Sequence, residues 1–215
     1  MKTLGKMTFG LAMLALAACG PMNKGGMGEK LAIVASLRGT APAAPDTNVP
    51  AEVLLANPGK YMRVNIRDQG IWTAMVVGGE NNGRVTWVDA SNLSVTVSNG
   101  LVVATRGLSR DLMGADVAAS WFAVQRGGGT AERRHDFLTD QDRISTELLQ
   151  CSIVLDGTEV VARGDTGIQT RRFNEKCEGE NLTFSNVYWV NASGNMVRSL
   201  QAVSPSAGYL QIDVF

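Results

Sequence analysis

From residue 60 to the C-terminus, the gaps between apolar runs are too short to hold crossover helices, which disfavours a parallel α/β fold. Tyr61–Ile66, Ile71–Val77, Arg84–Val88, Leu93–Val97 and Leu101–Thr105 are rich in Val, Ile, Thr and aromatic residues, the composition of strands. Turn signals separate them. The stretch Gly78-Gly79-Glu80-Asn81-Asn82-Gly83 reads as a hairpin loop, and Asn99-Gly100 suits the two positive-φ positions of a type I′ turn. Alternation in Leu93-Ser94-Val95-Thr96-Val97 implies one buried face. Further strands are expected near 132–138, 146–155, 158–163, 166–175, 182–190, 196–203 and 208–214, with hairpin turns at Asp156-Gly157 and, more loosely, Ser193-Gly194. The sum is a mainly β fold of about ten to twelve short strands, an antiparallel sandwich or partly closed barrel.

Helices are expected only as short pieces near the N-terminus and in one break of the β pattern. Ala51–Ala56 follows Pro50 and stops before Pro58-Gly59, the proline standing at the first helical position. Residues 29–38 carry Leu31, Val34 and Ala35 at helical spacing. Within residues 106–131, Asp116 is placed to cap a helix carrying Val117 and Trp121 four apart, and Gly127-Gly128-Gly129 reads as a loop.

The first nineteen residues define where the chain works. Lys2 and Lys6 precede an apolar run, Phe9 to Ala18, of about ten residues, half of what a membrane-spanning helix requires. It fits the apolar region of a secretory signal. The run ends in Leu16-Ala17-Ala18-Cys19, which resembles the lipobox of bacterial lipoproteins. That resemblance implies cleavage after residue 18 and acylation of Cys19, two or three chains giving stable membrane attachment where one chain is marginal. Gly20, where an Asp would signal retention in the inner membrane, implies release to the periplasmic face of the outer membrane. The expected organisation is a signal peptide over 1–18, a lipidated tether over 19–50 rich in Gly and Pro, and one β domain over 51–215.

Composition narrows the partners. The 20 basic and 20 acidic residues balance, and loss of Lys2 and Lys6 with the signal leaves the mature chain two charges negative. No basic domain or patch of the kind that binds nucleic acid is present. Of the three cysteines, Cys19 goes to lipid, and Cys151 with Cys177 makes an even pair in an oxidising compartment. A disulfide between them closes a loop of about 26 residues, an entropic stabilisation of roughly 3.5 kcal/mol. One histidine, His135, and two thiols make a poor zinc set, and neither a metal nor another cofactor is expected.

Catalytic patterns are missing: there is no G-x-S-x-G elbow, S-x-x-K, P-loop or H-E-x-x-H, and the triple glycine is followed by Thr130 rather than by a phosphate-binding lysine. His135, in the polar stretch Arg133-Arg134-His135-Asp136, is expected at the solvated surface rather than in a triad. Asp140 with Asp142, or Glu175 with Glu178, would be the carboxylate pairs of a glycosidase, but a sequence with 20 acidic residues always offers such pairs and ordinary surface charge is the far stronger reading. Trp72, Trp87, Trp121 and Trp189 are the available aromatic platforms for a polysaccharide, although tryptophans in strands belong more often to the core.

One segment combines a strand end, a turn and two opposite charges: Thr105-Arg106-Gly107-Leu108, then Asp111-Leu112, with Arg106 and Asp111 placed to pair across the turn. Preceded by Asn99-Gly100, it resembles the central motif of the YjbF/GfcB lipoproteins. A second resemblance lies in Phe184-Ser185-Asn186-Val187-Tyr188-Trp189-Val190, followed by Gly194, Val197-Arg198-Ser199-Leu200-Gln201 and Ser204-Pro205. The lipobox and the cysteine pair suit the same family. The resemblance implies a mostly β periplasmic domain tethered to the outer membrane, acting without catalysis in the production or export of an exopolysaccharide or group 4 capsule. It also implies a large outer-membrane barrel protein and a periplasmic companion as neighbours. The family brings no catalytic residue to carry over.

Overall fold

The runs read as strands fold as strands, but the one beginning at Ile71 continues through Gly78-Gly79-Glu80-Asn81, read as loop from its glycines and asparagines, and leaves only Asn82-Gly83 as the turn. In the computed structural model, which describes residues 49–215, the first half contains β1 (Tyr61–Ile66), β2 (Ile71–Asn81), β3 (Arg84–Val88), β4 (Ser94–Ser98) and β5 (Leu101–Arg106). The second contains β6 (Leu112–Asp116), β7 (Gly128–Leu138), β8 (Ile144–Arg163), β9 (Thr166–Glu178), β10 (Thr183–Asn191), β11 (Met196–Ser204) and β12 (Gly208–Val214). All pairings are antiparallel, and the spatial order is β5-β4-β3-β2-β1-β12-β11-β10-β9-β8-β7-β6. The last strand pairs with the first, Met62 opposite Val214, and β5 and β6 come together to leave a nearly closed barrel. A barrel of this kind removes every exposed sheet edge except those at its seam.

Two short helices complete the fold of the described residues. Helix α1 (Ala51–Ala56) buries Leu54 and ends at Asn57, whose side-chain amide donates to Val53 O. Helix α2 (Ala118–Gln125) is the one foreseen after Asp116, whose Oδ1 accepts the Ala118 N–H at 3.1 Å. It packs on β7 with Ser120, Ala123 and Val124 buried and Phe122 turned to solvent. Cys19 and the helix expected over 29–38 lie outside the described residues.

Three further expectations are corrected. Asp156-Gly157 does not end a strand: β8 runs through it to Arg163, and the hairpin turns at residues 164–165. The positive φ of Gly157 (111°) serves a bulge, seen as a register shift between Leu155 and Thr158, and a bulge and a turn leave the same mark in sequence. The last two residues of the triple glycine open β7 rather than forming a loop. A Cβ at Gly128 would stand 2.9 Å from Ile153 O, so the strands meet there only because no side chain intervenes. Strand β6, Leu-Met-Gly-Ala-Asp, was not anticipated because it contains no β-branched or aromatic residue.

Cys151 and Cys177 face each other in register on β8 and β9 and form the expected disulfide, S–S 2.01 Å. Both sit in the core beside Leu149, Phe173 and Tyr188.

Candidate functional site

The two stretches singled out in the sequence fall in two places, the barrel seam and the polar centre of its interior. At the seam β5 and β6 share no ladder, so their facing backbone groups need other partners. Thr105, at the end of β5, supplies one: its hydroxyl accepts the Leu112 N–H at 3.0 Å and donates to Asp111 Oδ1 at 2.9 Å. The Arg106 guanidinium donates to the carbonyls of Thr105, Leu112 and Met113 at 2.5, 3.2 and 3.5 Å. The Asp111 carboxylate accepts the N–H groups of Gly107 and Leu108 at 3.0 and 3.1 Å, closing the turn between the strands. The expected Arg106–Asp111 ion pair is therefore replaced by two sets of bonds to the backbone. The carboxylate reaches the N–H groups of its own tight turn, and the longer guanidinium spans the seam to carbonyls on β6.

Gln201, from β11, completes the clasp from inside. Its side chain accepts the Val102 N–H at 2.9 Å and donates to Gly100 O at 2.8 Å, binding the start of β5 across the barrel. Ser204 Oγ donates to Arg110 O at 2.6 Å and Ser109 Oγ to Ser206 O at 2.9 Å, so the 107–111 turn is bonded to the β11–β12 turn. Leu108 and Leu112 cover this junction, Leu112 fully buried. The residues of both motifs thus converge although 90 or more positions separate the bonded partners.

The polar centre lies under the disulfide. Arg133 on β7 meets Glu175 on β9 at 2.6 Å, and Tyr188 and Asn186 on β10 donate to the same carboxylate oxygen at 2.5 and 2.7 Å. All four are buried, and Asn186 Oδ1 also accepts the Ala202 N–H at 2.8 Å. Burial alone would raise the Glu175 pKa, but the Arg133 charge and the Tyr188 and Asn186 donors hold it below the ordinary carboxylate value. Burial and the neighbouring carboxylate push the Tyr188 phenol well above its usual value, so it stays a protonated donor. Ser120 lies beside Glu175, and neither Ser120 Oγ nor Glu175 Oε1 has a hydrogen-bond partner among the described residues.

His135 is not at the surface. The alternation of β7 turns Ala131, Arg133, His135 and Phe137 inward and leaves Glu132 and Arg134 outside, a period hidden by the charges on both faces. The imidazole stacks on Phe184, centroids 5.3 Å apart, and neither ring nitrogen has a hydrogen-bond partner among the described residues. Burial, then the Arg133 charge, lowers its pKa from 6.5 to about 3. Below pH 6.5 the unfolded imidazole binds a proton that the folded one refuses, so stability must fall with pH until about 3. The expected slope is about 1.4 kcal/mol per pH unit from this residue. Urea unfolding at near-neutral pH and at about pH 5 should show this loss in the wild type and its absence in His135→Phe. Equal slopes in the two proteins would mean that His135 is not buried as described.

The remaining candidates do not assemble a reaction centre. Glu175 and Glu178 stand on opposite faces of β9, the latter exposed and paired with Lys176 at 2.7 Å. Asp140 and Asp142 are exposed in the β7–β8 turn. Cys151, Cys177 and Glu175 lie within 4.8 Å of one another, but both thiols are committed to the disulfide and Glu175 to Arg133. Of the tryptophans, Trp87 is buried, and Trp72, Trp121 and Trp189 are partly covered. Trp189 donates its Nε1–H to Glu159 at 2.8 Å, and Arg63 lies over the Trp72 ring at 4.3 Å.

Three comparisons place this architecture among known proteins. The model of the family described as "Group 4 capsule polysaccharide lipoprotein gfcB, YjbF" matches residues 26–215. Comparison with curated protein sequences gives no match. Among solved structures, the crystal structure of the hypothetical lipoprotein YmcC from Escherichia coli (K12) superposes with a TM-score of 0.66 at 17% identity, covering 88% of this chain and 95% of that one. At that identity the likeness establishes a common fold.

Proposed function

The chain belongs to the YjbF family of group 4 capsule polysaccharide lipoproteins, and from that premise we propose that it is a lipid-anchored, non-catalytic accessory in the production or export of capsule or a related exopolysaccharide. The observation that carries the absence of catalysis is the use made of the motif side chains. Thr105, Arg106, Asp111 and Gln201 are bonded to backbone at the seam, and Asn186 and Tyr188 to the buried Arg133–Glu175 pair. Groups so engaged hold a scaffold in shape. Cys19 in its lipobox supports anchoring through acyl chains, and Gly20 supports the periplasmic face of the outer membrane as destination. The Cys151–Cys177 bridge suits an oxidising compartment.

In this reading the domain is a platform beside an outer-membrane barrel and a periplasmic companion of the same export system. Beyond the clasp, the seam strands β5 and β6 are the part of the sheet to which an extended segment of a partner can add. Deleting the gene should sharply reduce surface polysaccharide. Complementation should succeed with the wild type and fail with Cys19→Ala, which cannot be acylated. Unchanged polysaccharide in the deletion strain, or turnover of the polymer by the purified protein, would refute the proposal.

A further inference from the structure

One end of the barrel carries a groove to which the two motifs contribute only Asn99 and Gly100. The β2–β3, β4–β5 and β10–β11 turns rise around it through Gly83, Asn99-Gly100 and Asn195, and helix α2 leans across it with Trp121. The groove encloses about 330 Å³, within the size range of small-molecule sites. Its floor is the open end of the barrel interior, with Met62, Trp87 and Met196 among the side chains there. A second hollow of about 220 Å³ adjoins it, sharing Asn99 and Trp121 and adding Arg84, Asp116 and Phe122. Trp121 therefore lines two adjacent depressions.

The chemistry of this lining is specific. Trp121 is half-buried, and its indole N–H has no partner among the described residues. Phe122 beside it is 59% exposed, with the Arg126 guanidinium over its ring at 4.4 Å. The side-chain amides of Asn99 and Asn195 are exposed at the rim and bond to no other described residue. Each offers two donors and one acceptor. Helix α2 is fixed over the groove by Gln125, whose Nε2 donates to Gly194 O at 3.1 Å, so these groups are held in place without a ligand. The groove itself is lined by no charged residue, whereas the adjoining hollow has Arg84 and Asp116 in its lining and Arg126 over the Phe122 ring at 4.4 Å.

Aromatic faces beside amides that both donate and accept match a ring that is apolar on its C–H face and hydroxylated around its edge. A flexible acyl chain would have no use for the amides at the rim, and an anionic sugar would meet no cation in the lining of the groove itself. We infer that this groove binds an uncharged sugar unit of a glycan chain, stacked on Trp121 and hydrogen-bonded through its hydroxyls to Asn99 and Asn195. The inference deepens the proposed role in polysaccharide production and rests on that reading for the source of the glycan.

The test uses the folded, acylated chain in detergent. The probe is neutral oligosaccharide released by partial acid hydrolysis of the producing cell's own extracellular polysaccharide. Saturation-transfer NMR should show millimolar or tighter binding by the wild type, and at least a tenfold loss in Trp121→Ala and in Asn195→Ala. If Trp121→Ala fails to fold, Asn195→Ala and Phe122→Ala, both at exposed positions, decide the matter. No binding by folded wild type, undiminished binding by the folded variants, or binding of dodecyl maltoside through its alkyl chain alone would overturn the inference. These results are separate from the gene-deletion phenotype, so the site can fail while the cellular role stands, and the reverse.

Discussion

Arg133→Met is expected to destabilise the protein by about 3–5 kcal/mol, a large fraction of the roughly 5–15 kcal/mol that holds a typical domain folded. The Arg133 and Glu175 side chains are 2% and 0% exposed, so removing the guanidinium strands a carboxylate where water cannot reach it. Tyr188 and Asn186 would still donate to Glu175, but two neutral donors cannot replace a cation at 2.6 Å. The double replacement Arg133→Met with Glu175→Leu should recover most of the loss, because no buried charge then remains. The pH dependence separates this account from a simple packing defect. In the wild type the depressed Glu175 pKa contributes stability that is present above the ordinary carboxyl pKa and lost as pH falls through the folded value. In Arg133→Met only the neutral Tyr188 and Asn186 donors oppose burial, so that pKa rises, and acidification protonates Glu175 and narrows the gap to the wild type. Urea midpoints across the acidic range, for wild type, single and double variants, check both statements.

Replacing Cys151 and Cys177 together with Ala should cost roughly 3.5 kcal/mol through the freed loop, with lost packing added to it. The bridge joins residues 26 apart on neighbouring strands and lies over the Arg133–Glu175 pair, so its loss also loosens the lid of the polar centre. The expected result is a fall in the urea midpoint of the oxidised double variant, matched by reduction of the wild type. A midpoint equal to that of the oxidised wild type would mean that the bridge constrains nothing the sheet does not already fix.

The strands of the N-terminal half were legible because each shows β-branched composition and each ends in a turn residue with a known backbone requirement; Asn99 and Gly100 both have the positive φ that the sequence implied. What was hidden follows from three properties that a linear reading does not carry. Asp156-Gly157 shows that a glycine records a backbone angle but not whether a bulge or a turn uses it. Arg133 and His135 show that period-two alternation disappears when the inward side chains are themselves polar. The seam shows that a motif can be recognised without its purpose being visible. Thr105 and Asp111 are close in sequence, and their turn was readable, but Gln201 reaches Val102 from 99 residues away, and only the closing of the sheet brings them together. The same distance effect joins Arg133, Glu175 and Tyr188, none of which was paired with another from sequence.

The barrel stays closed, in this account, because side chains of β5 stand in for a missing ladder. Amide hydrogen exchange at Leu112, in wild type and in Thr105→Val, tests that directly, since the substitution keeps the side-chain shape and removes the oxygen that accepts the buried Leu112 N–H. The account predicts faster exchange at Leu112 and its β6 neighbours, with a stability loss of about 1–3 kcal/mol. Unaltered protection at Leu112 together with an unaltered urea midpoint would contradict it.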